Sequence, residues 1–405
     1  MGEWKQIKLG EASIDGGHYG IGAPAVEYSE SLPTYLRITD IRDDGTIIHE
    51  GLKSVDAPDA CDYYLKPNDL VIARTGASTG RNYFYDERDG KLVYAGFLIR
   101  FRINEQKIWP PYVKYWFKGT EYRSWLQNHT DGSTRANINA VTLGDCPIYY
   151  PADVSTQRKI AAVLGALDDK IENNRKICAN LEAQAQALFK SWFVDFEPFG
   201  GKMPKGWKMG KLGDIGTIVG GATPSKANSS FYTENGIHWL TPKDLSIQQT
   251  KFIERGETDI TETGFKSASV KLMPRGSVLF SSRAPIGYVA IAKNDICTNQ
   301  GFKSVVPNVG VGSEFVYQLL RANTRIIEER ASGSTFKEIS TAGMRDIPVV
   351  VPANEALGRF SELTSSYSAI QENKEAESRA LAAMRDALLP KLMSGEIDVR
   401  KVEVA

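Results

Sequence analysis

The sequence is short of the residues that hold metals. Its 405 residues include four cysteines (Cys61, Cys146, Cys178, Cys297) and four histidines, scattered and without a CxxC spacing, so no zinc site is in view. No apolar run approaches the roughly 20 residues that cross a bilayer, so no membrane contact is expected. The opening MGEWKQIKLGE lacks the apolar core of a leader, which makes the cytoplasm the expected location. Catalytic motifs are missing too. TGASTGRN from Thr75 is glycine-rich but has neither the spacing nor the lysine that cradles phosphates. WPPY at Trp109 resembles the NPPY of an amino-methyltransferase, yet tryptophan stands where an amide must hold the target amine. Asp168 and Asp169 are adjacent on a helix, point to different faces and read as solvated charges. Neither catalytic residues nor metal ligands are therefore expected. An excess of either charge is also lacking, with 49 basic and 49 acidic side chains. The balance is uneven along the chain: residues 1–154 hold 17 basic and 21 acidic groups, residues 196–352 hold 19 and 14. Net charge thus argues neither for nor against a nucleic-acid partner.

What the sequence does have is two long helical stretches. From Asp153 to Phe196, Ile160, Leu164, Leu167, Ile171, Cys178, Leu181, Ala185, Leu188 and Trp192 keep to a seven-residue grid, interrupted by Asn174. A stripe held that long is a coiled-coil seam. Asp153 after Pro151 is an N-cap, and Pro198 with Gly200-Gly201 closes the far end. About 40 residues give a rod of roughly 60 Å. A second stretch begins at Asn354, with a seam of Phe360, Leu363, Tyr367, Ile370, Leu381, Met384 and Leu388, a polar gap at Asn373-Lys374, and Pro390 to end or kink it. Matching seams with polar middles predict that the two helices pack on each other; membership of two separate bundles is the alternative.

The globular parts repeat as well. WKQIKLGE at Trp4 returns as WKMGKLGD at Trp207, and LKPNDLVIARTGASTG from Leu65 returns as LMPRGSVLFSSRAPIG from Leu272. Gly96-Phe97 recurs as Gly301-Phe302, and GSTRANINAVTLGDCPIYYP from Gly132 as GSTFKEISTAGMRDIPVVVP from Gly333. The shared residues are turn formers and strand apolars. The residues between diverge, as in one scaffold carrying two recognition surfaces. Strands are predicted at 70–74, 92–101, 277–281 and 288–292, and helices at 111–127 and 314–330. The fold class is α+β: two similar globular domains, 1–152 and 197–353, and two long antiparallel coiled-coil helices, 153–196 and 354–405, related by a pseudo-two-fold internal repeat.

Recognition chemistry gathers at turns. In the first part these are Arg74, Thr75, Ser78, Thr79, Arg81 and Asn82, then Ser133, Thr134, Arg135, Asn137 and Asn139. In the second they are Ser281, Ser282 and Arg283, then Ser334, Thr335, Phe336 and Lys337, with Thr298, Asn299, Gln300 and Lys303, Thr223, Ser225 and Lys226 of GGATPSK, and Lys243. These side-chain types read base edges and hold phosphates. A turn rich in Ser, Thr and Asn is more simply only a turn. Recurrence at matching places in both parts is what favours function.

With the repeat and helices in place, STQRKIAAVLGALDDKIENNRK, LFKSWFVDFEPF, GGATPSK, SSRAPIGYVAI, CTNQGF, GSTFKEIS and LLPKLMSGEI resemble, in order, stretches of the specificity subunits of Type I restriction–modification systems. That resemblance implies a non-catalytic, DNA-binding subunit. Each globular domain would be a target recognition domain reading one half of a split, asymmetric duplex site. The helices would set the gap and dock two modification subunits, which carry S-adenosylmethionine. Restriction subunits, using ATP and magnesium, would join to cleave, and no cofactor would lie in this chain. A subunit serving methylation only, or a scaffold binding protein instead of DNA, are the alternatives.

Overall fold

The computed structural model describes residues 3–130, 137–283, 285–333 and 337–401. Both long helices form, Val154–Phe193 and Asn354–Met393, each of 40 residues. Asp153 caps the first: its carboxylate accepts the backbone N–H groups of Ser155 and Thr156, both at 3.1 Å. Pro390 does not end the second. It lies in the final turns, and the helix runs on to Met393.

The chain divides into two compact units, one of residues up to 170 together with those from 381 onward, the other of residues 171–380. In the first unit, Ser13–Tyr19, Leu98–Ile103, Asp69–Ala73 and Asn82–Phe84 form an antiparallel sheet in that order. A second four-stranded sheet is mixed, with Thr34–Leu36 parallel to Leu92–Tyr94. The single strand predicted over 92–101 is thus two strands in different sheets, divided at the tight turn through Gly96 and Phe97. Likewise the helix predicted over 111–127 is two, Pro110–Trp116 and Thr120–His129, broken at Gly119. In the second unit, Gly216–Gly220, Lys303–Pro307, Val278–Ser282, Ile286–Ala292 and Phe252–Ile253 make a five-stranded sheet, backed by the helix Ser313–Arg330.

The repeated motifs have repeated jobs. Trp4–Lys8 pairs antiparallel with Pro147–Pro151, and Lys208–Lys211 with Pro348–Val351. Each WKxxKLG strand therefore closes its domain on the strand that leads into a long helix.

Within each unit, half of each helix is glued to the sheets. In the first, Ile160 and Leu164 share a core with Phe101, Tyr112, Trp116 and, from the chain's other end, Leu389, Leu392 and Met393. In the second, Phe193 meets Phe315 and Phe360 with ring centroids 4.8 and 5.2 Å apart. There the helices run antiparallel: Asn174 Nδ2 donates to Glu377 at 3.0 Å, Gln371 Nε2 donates to the Cys178 carbonyl at 3.0 Å, and Phe193 reaches Phe360.

The seam of the C-terminal helix differs from the predicted one. Leu363 and Ile370 are 44% and 43% exposed and Met384 is exposed too, whereas Leu357, Phe360, Thr364, Gln371, Leu389 and Leu392 are buried. Phe360 is buried as expected, but from Thr364 on the buried stripe lies one residue further along and is polar in its middle. Its partners explain this. Lys251, from the sheet of the second unit, enters between the helices and donates to Glu182 (2.9 Å), Glu314 (2.8 Å) and Gln371 (3.0 Å), while Glu375 accepts the backbone N–H groups of Lys251 and Phe252. In the first unit, Asp168 takes the Tyr115 hydroxyl at 3.0 Å, Lys118 at 3.2 Å and Arg385 at 2.8 Å. Burial opposes ionisation of Asp168, but Lys118, Arg385 and Lys114 outweigh it and hold the carboxyl down at about 2. Asp168 is therefore a half-buried anchor and not a solvated charge. Asp169, with Arg88 at 3.0 Å, does face solvent. On the central helix, Ile160, Leu164 and Ile171 are buried and Leu167, Leu181 and Leu188 half-buried, as are Leu381 and Leu388 on its partner.

Candidate nucleic-acid interface

In each unit a strand end and the segment after a GST sequence come together. Thr75 bridges to Asn137, and the Ile138 N–H donates to the Arg74 carbonyl at 2.9 Å. Arg283 bridges to Glu338, and the Ile339 N–H donates to the Ser282 carbonyl at 3.2 Å. The two arrangements share one bonding pattern, in which Arg74 corresponds to Ser282, Thr75 to Arg283, Asn137 to Glu338. A second pair of bonds fixes the facing hairpin. Arg74 N–H donates to the Phe97 carbonyl, Ser282 N–H to that of Gly301; Gly20 N–H donates to Leu98, Gly221 N–H to Phe302. Phe97 therefore matches Gly301, and buried Leu98 matches buried Phe302. The alignment of Gly96-Phe97 with Gly301-Phe302 read from sequence is one residue out, as is that of Arg74 with Ser281. Gly20 and Gly221 are required by close approach: a Cβ there would stand 2.3 Å from the Tyr94 carbonyl oxygen and 1.9 Å from that of Asn299.

The nominated residues divide into exposed and structural ones. In the first unit, the Arg74 guanidinium lies over the Tyr19 ring at 5.0 Å, and its Nη2 donates to Asn137 Oδ1 at 3.4 Å. Thr75 is beside it. Ser78 is buried in a short turn, and the Thr79 hydroxyl donates to the Gly76 carbonyl. Arg81 is paired with Asp43 at 2.5 Å, and Asn82 Nδ2 donates to the Phe117 carbonyl at 3.0 Å; both tie loops together. Asn139 caps the following helix, accepting from Thr142 N–H. Ser133, Thr134 and Arg135 lie outside the described residues, as do Ser334, Thr335 and Phe336.

In the second unit, Ser281 is fully buried and its hydroxyl, accepting from Tyr288 N–H and donating to the Pro285 carbonyl, shapes the hairpin. Ser282 is buried below Lys303. Arg283 and Lys303 share Glu338, at 3.3 and 3.1 Å. Asn299 caps Gly301 N–H, and Thr223 donates to Gln300. Thr298 is buried, whereas Ser225, Lys226 and Lys337 are exposed. Lys243 is tied to Glu257 at 2.7 Å on a neighbouring helix. Three residues of this surface escape a reading of the sequence: Tyr19, Phe97 and Glu338. Only Tyr19 has a local mark, an aromatic residue before the close-packed Gly20.

The surface is rich in amides, hydroxyls and cations, which bind phosphate and base edges. Among the described residues no group of His, Cys, Asp and Glu could hold a metal, and no helix is long and apolar enough to cross a membrane. A family model described as "Type I restriction modification DNA specificity domain" matches residues 34–183 and again 204–377. The chain belongs to that family. Both matches take in one globular domain and much of a long helix, so the family's own repeat is the repeat seen here. Among relatives of the family, the Type I restriction enzyme HindI specificity subunit of Haemophilus influenzae is 25% identical over 98% of this chain and 100% of its own length. The MjaIX specificity subunit of Methanocaldococcus jannaschii is 38% identical, over 47% of this chain and 44% of that protein, so the match spans less than half of this relative. The fold agrees with a solved S subunit from M. genitalium, with a TM-score of 0.56 at 15% identity over 96% of each chain.

Proposed function

We propose that this chain is the specificity subunit of a Type I restriction–modification complex and that each unit reads one half of a split duplex-DNA target. The chain is a recognition subunit, not itself an enzyme; the protein-binding scaffold is not favoured. The observation that carries the split reading is the residue-by-residue correspondence just described, one backbone frame in which Arg74, Thr75 and Asn137 are replaced by Ser282, Arg283 and Glu338. A shared frame with different side chains gives two half-sites of different sequence, so the whole target is not a palindrome. The paired helices fix the gap. A 40-residue helix is about 60 Å long, an upper scale of roughly 18 base pairs at about 3.4 Å each. Two modification subunits dock on the helical layer and bring S-adenosylmethionine. Restriction subunits bring ATP and magnesium, and the complex works in the cytoplasm.

Adenine-methylation mapping of DNA from cells making the modification subunit, with and without this chain, tests the reading. A split, asymmetric methylated motif is expected only when the chain is present. No motif from an assembled complex would overturn it.

A further inference from the structure

The first unit carries two exposed aromatics where the second has glycines. Tyr19, at the end of its strand, pairs with Ile99, as Gly220 pairs with Lys303; Phe97 matches Gly301 by the hydrogen bonds above. Phe97 is 59% exposed and Tyr19 41%. Neither ring is needed to build the frame, because the second unit builds it without them. Scattered exposed aromatics are ordinary, but one of these stacks on the Arg74 guanidinium and the other is hydrogen-bonded to its backbone. Just past the end of its strand, the Arg74 N–H donates to the Phe97 carbonyl in the facing turn, which sets the two residues side by side, and Tyr19 lies under the guanidinium. The Tyr19 hydroxyl is itself fixed, accepting from the Ala140 N–H at 3.1 Å. Arg283 of the second unit is neutralised by Glu338, whereas Arg74 meets only the amide oxygen of Asn137 at 3.4 Å among the described residues. A planar fork held by stacking and left without a carboxylate loses little freedom when it engages a planar pair of acceptors. In duplex DNA that pair is guanine O6 and N7 in the major groove.

We infer that Tyr19, Arg74 and Phe97 form one base-reading element of the first unit, with the Arg74 fork on a guanine edge, Tyr19 holding the fork, and Phe97 packed on the neighbouring base. This rests on the DNA-reading proposal and deepens it. Tyr19 is a positioning residue; Arg74 and Phe97 touch the DNA.

The test is methylation mapping with the assembled complex carrying Arg74→Lys, Phe97→Gly or Tyr19→Leu, beside the unaltered chain. Glycine at 97 is what the second unit has at that place, so the variant keeps the backbone frame. Failure of the unaltered chain to give any split motif sinks the underlying reading alone. With the motif in hand, Arg74→Lys is expected to lower discrimination at a single G·C position about ten- to a hundredfold. Phe97→Gly should relax the adjacent position, Tyr19→Leu should weaken the same guanine more mildly, and the other half-site should be unchanged in all three. An unchanged motif in the Arg74 and Phe97 variants overturns the inference. So does uniformly weaker methylation at an unaltered motif in Arg74→Lys, which would mark Arg74 as a phosphate contact.

Discussion

Asp168 in the first unit and Lys251 in the second are anchors of the same kind, a charged side chain, half-buried or buried, held by several partners of the other sign. Removing one member leaves the others uncompensated, which costs more than the pair contributes. Asp168→Asn should lower the unfolding free energy of the first unit by roughly 2–4 kcal/mol at neutral pH, read from denaturant unfolding. The pH dependence follows from a carboxyl held at about 2, below its ordinary value near 4. Its contribution is complete above the unfolded value and disappears as pH falls through the folded one. The gap between parent and Asp168→Asn should therefore close between about pH 4 and pH 2; a constant gap would mean that Asp168 acts by shape and not by charge. At this scale the sequence is least legible. Asp168 and Asp169 look alike in the chain, and only the arrival of Lys118 and Arg385 from distant segments separates them. Ser281 looks like a DNA contact and is buried, and Arg81 looks like a free cation and is paired, because their partners, the Pro285–Tyr288 backbone and Asp43, are not implied by any local pattern.

Elements are more legible. The helix caps, the heptad of the central helix and the WKxxKLG strands all follow from local propensity and from burial on one face. The C-terminal helix misleads because apolar Leu363, Ile370 and Met384 form a seven-residue series of their own, while Thr364 turns its hydroxyl to the Phe360 carbonyl on the buried face and Gln371 and Arg385 meet Lys251 and Asp168 there. The two domains also differ by one residue from their alignment by sequence: Gly96-Phe97 and Gly301-Phe302 share identities, whereas the hydrogen bonds match Leu98 to Phe302. If the helices are the ruler, adding one heptad to both, beside Asn174 and beside Ser378, lengthens the pair by about 10 Å. The methylated motif should keep both half-sites and gain about three base pairs of gap. An unaltered gap would remove the helices from that role.

For the whole molecule, the repeat predicts separable halves. Arg283→Ala or Lys337→Ala should degrade recognition of one half-site several-fold while leaving the other intact, as seen in the same mapping; equal loss at both would contradict the assignment of one domain to one half-site. The units are not equivalent in how the chain builds them, however. The second is a continuous stretch, whereas the core of the first includes Leu389, Leu392, Met393 and Val399, and Gly395 lies against the Trp4 ring. During synthesis the ribosome therefore finishes every residue of the second unit before the first can close. The domain made first is completed last, waiting with Ile160 and Leu164 uncovered. Deleting residues from Leu388 onward should accordingly leave 171–380 resistant to protease and make the opening 150 residues the fragment that is digested.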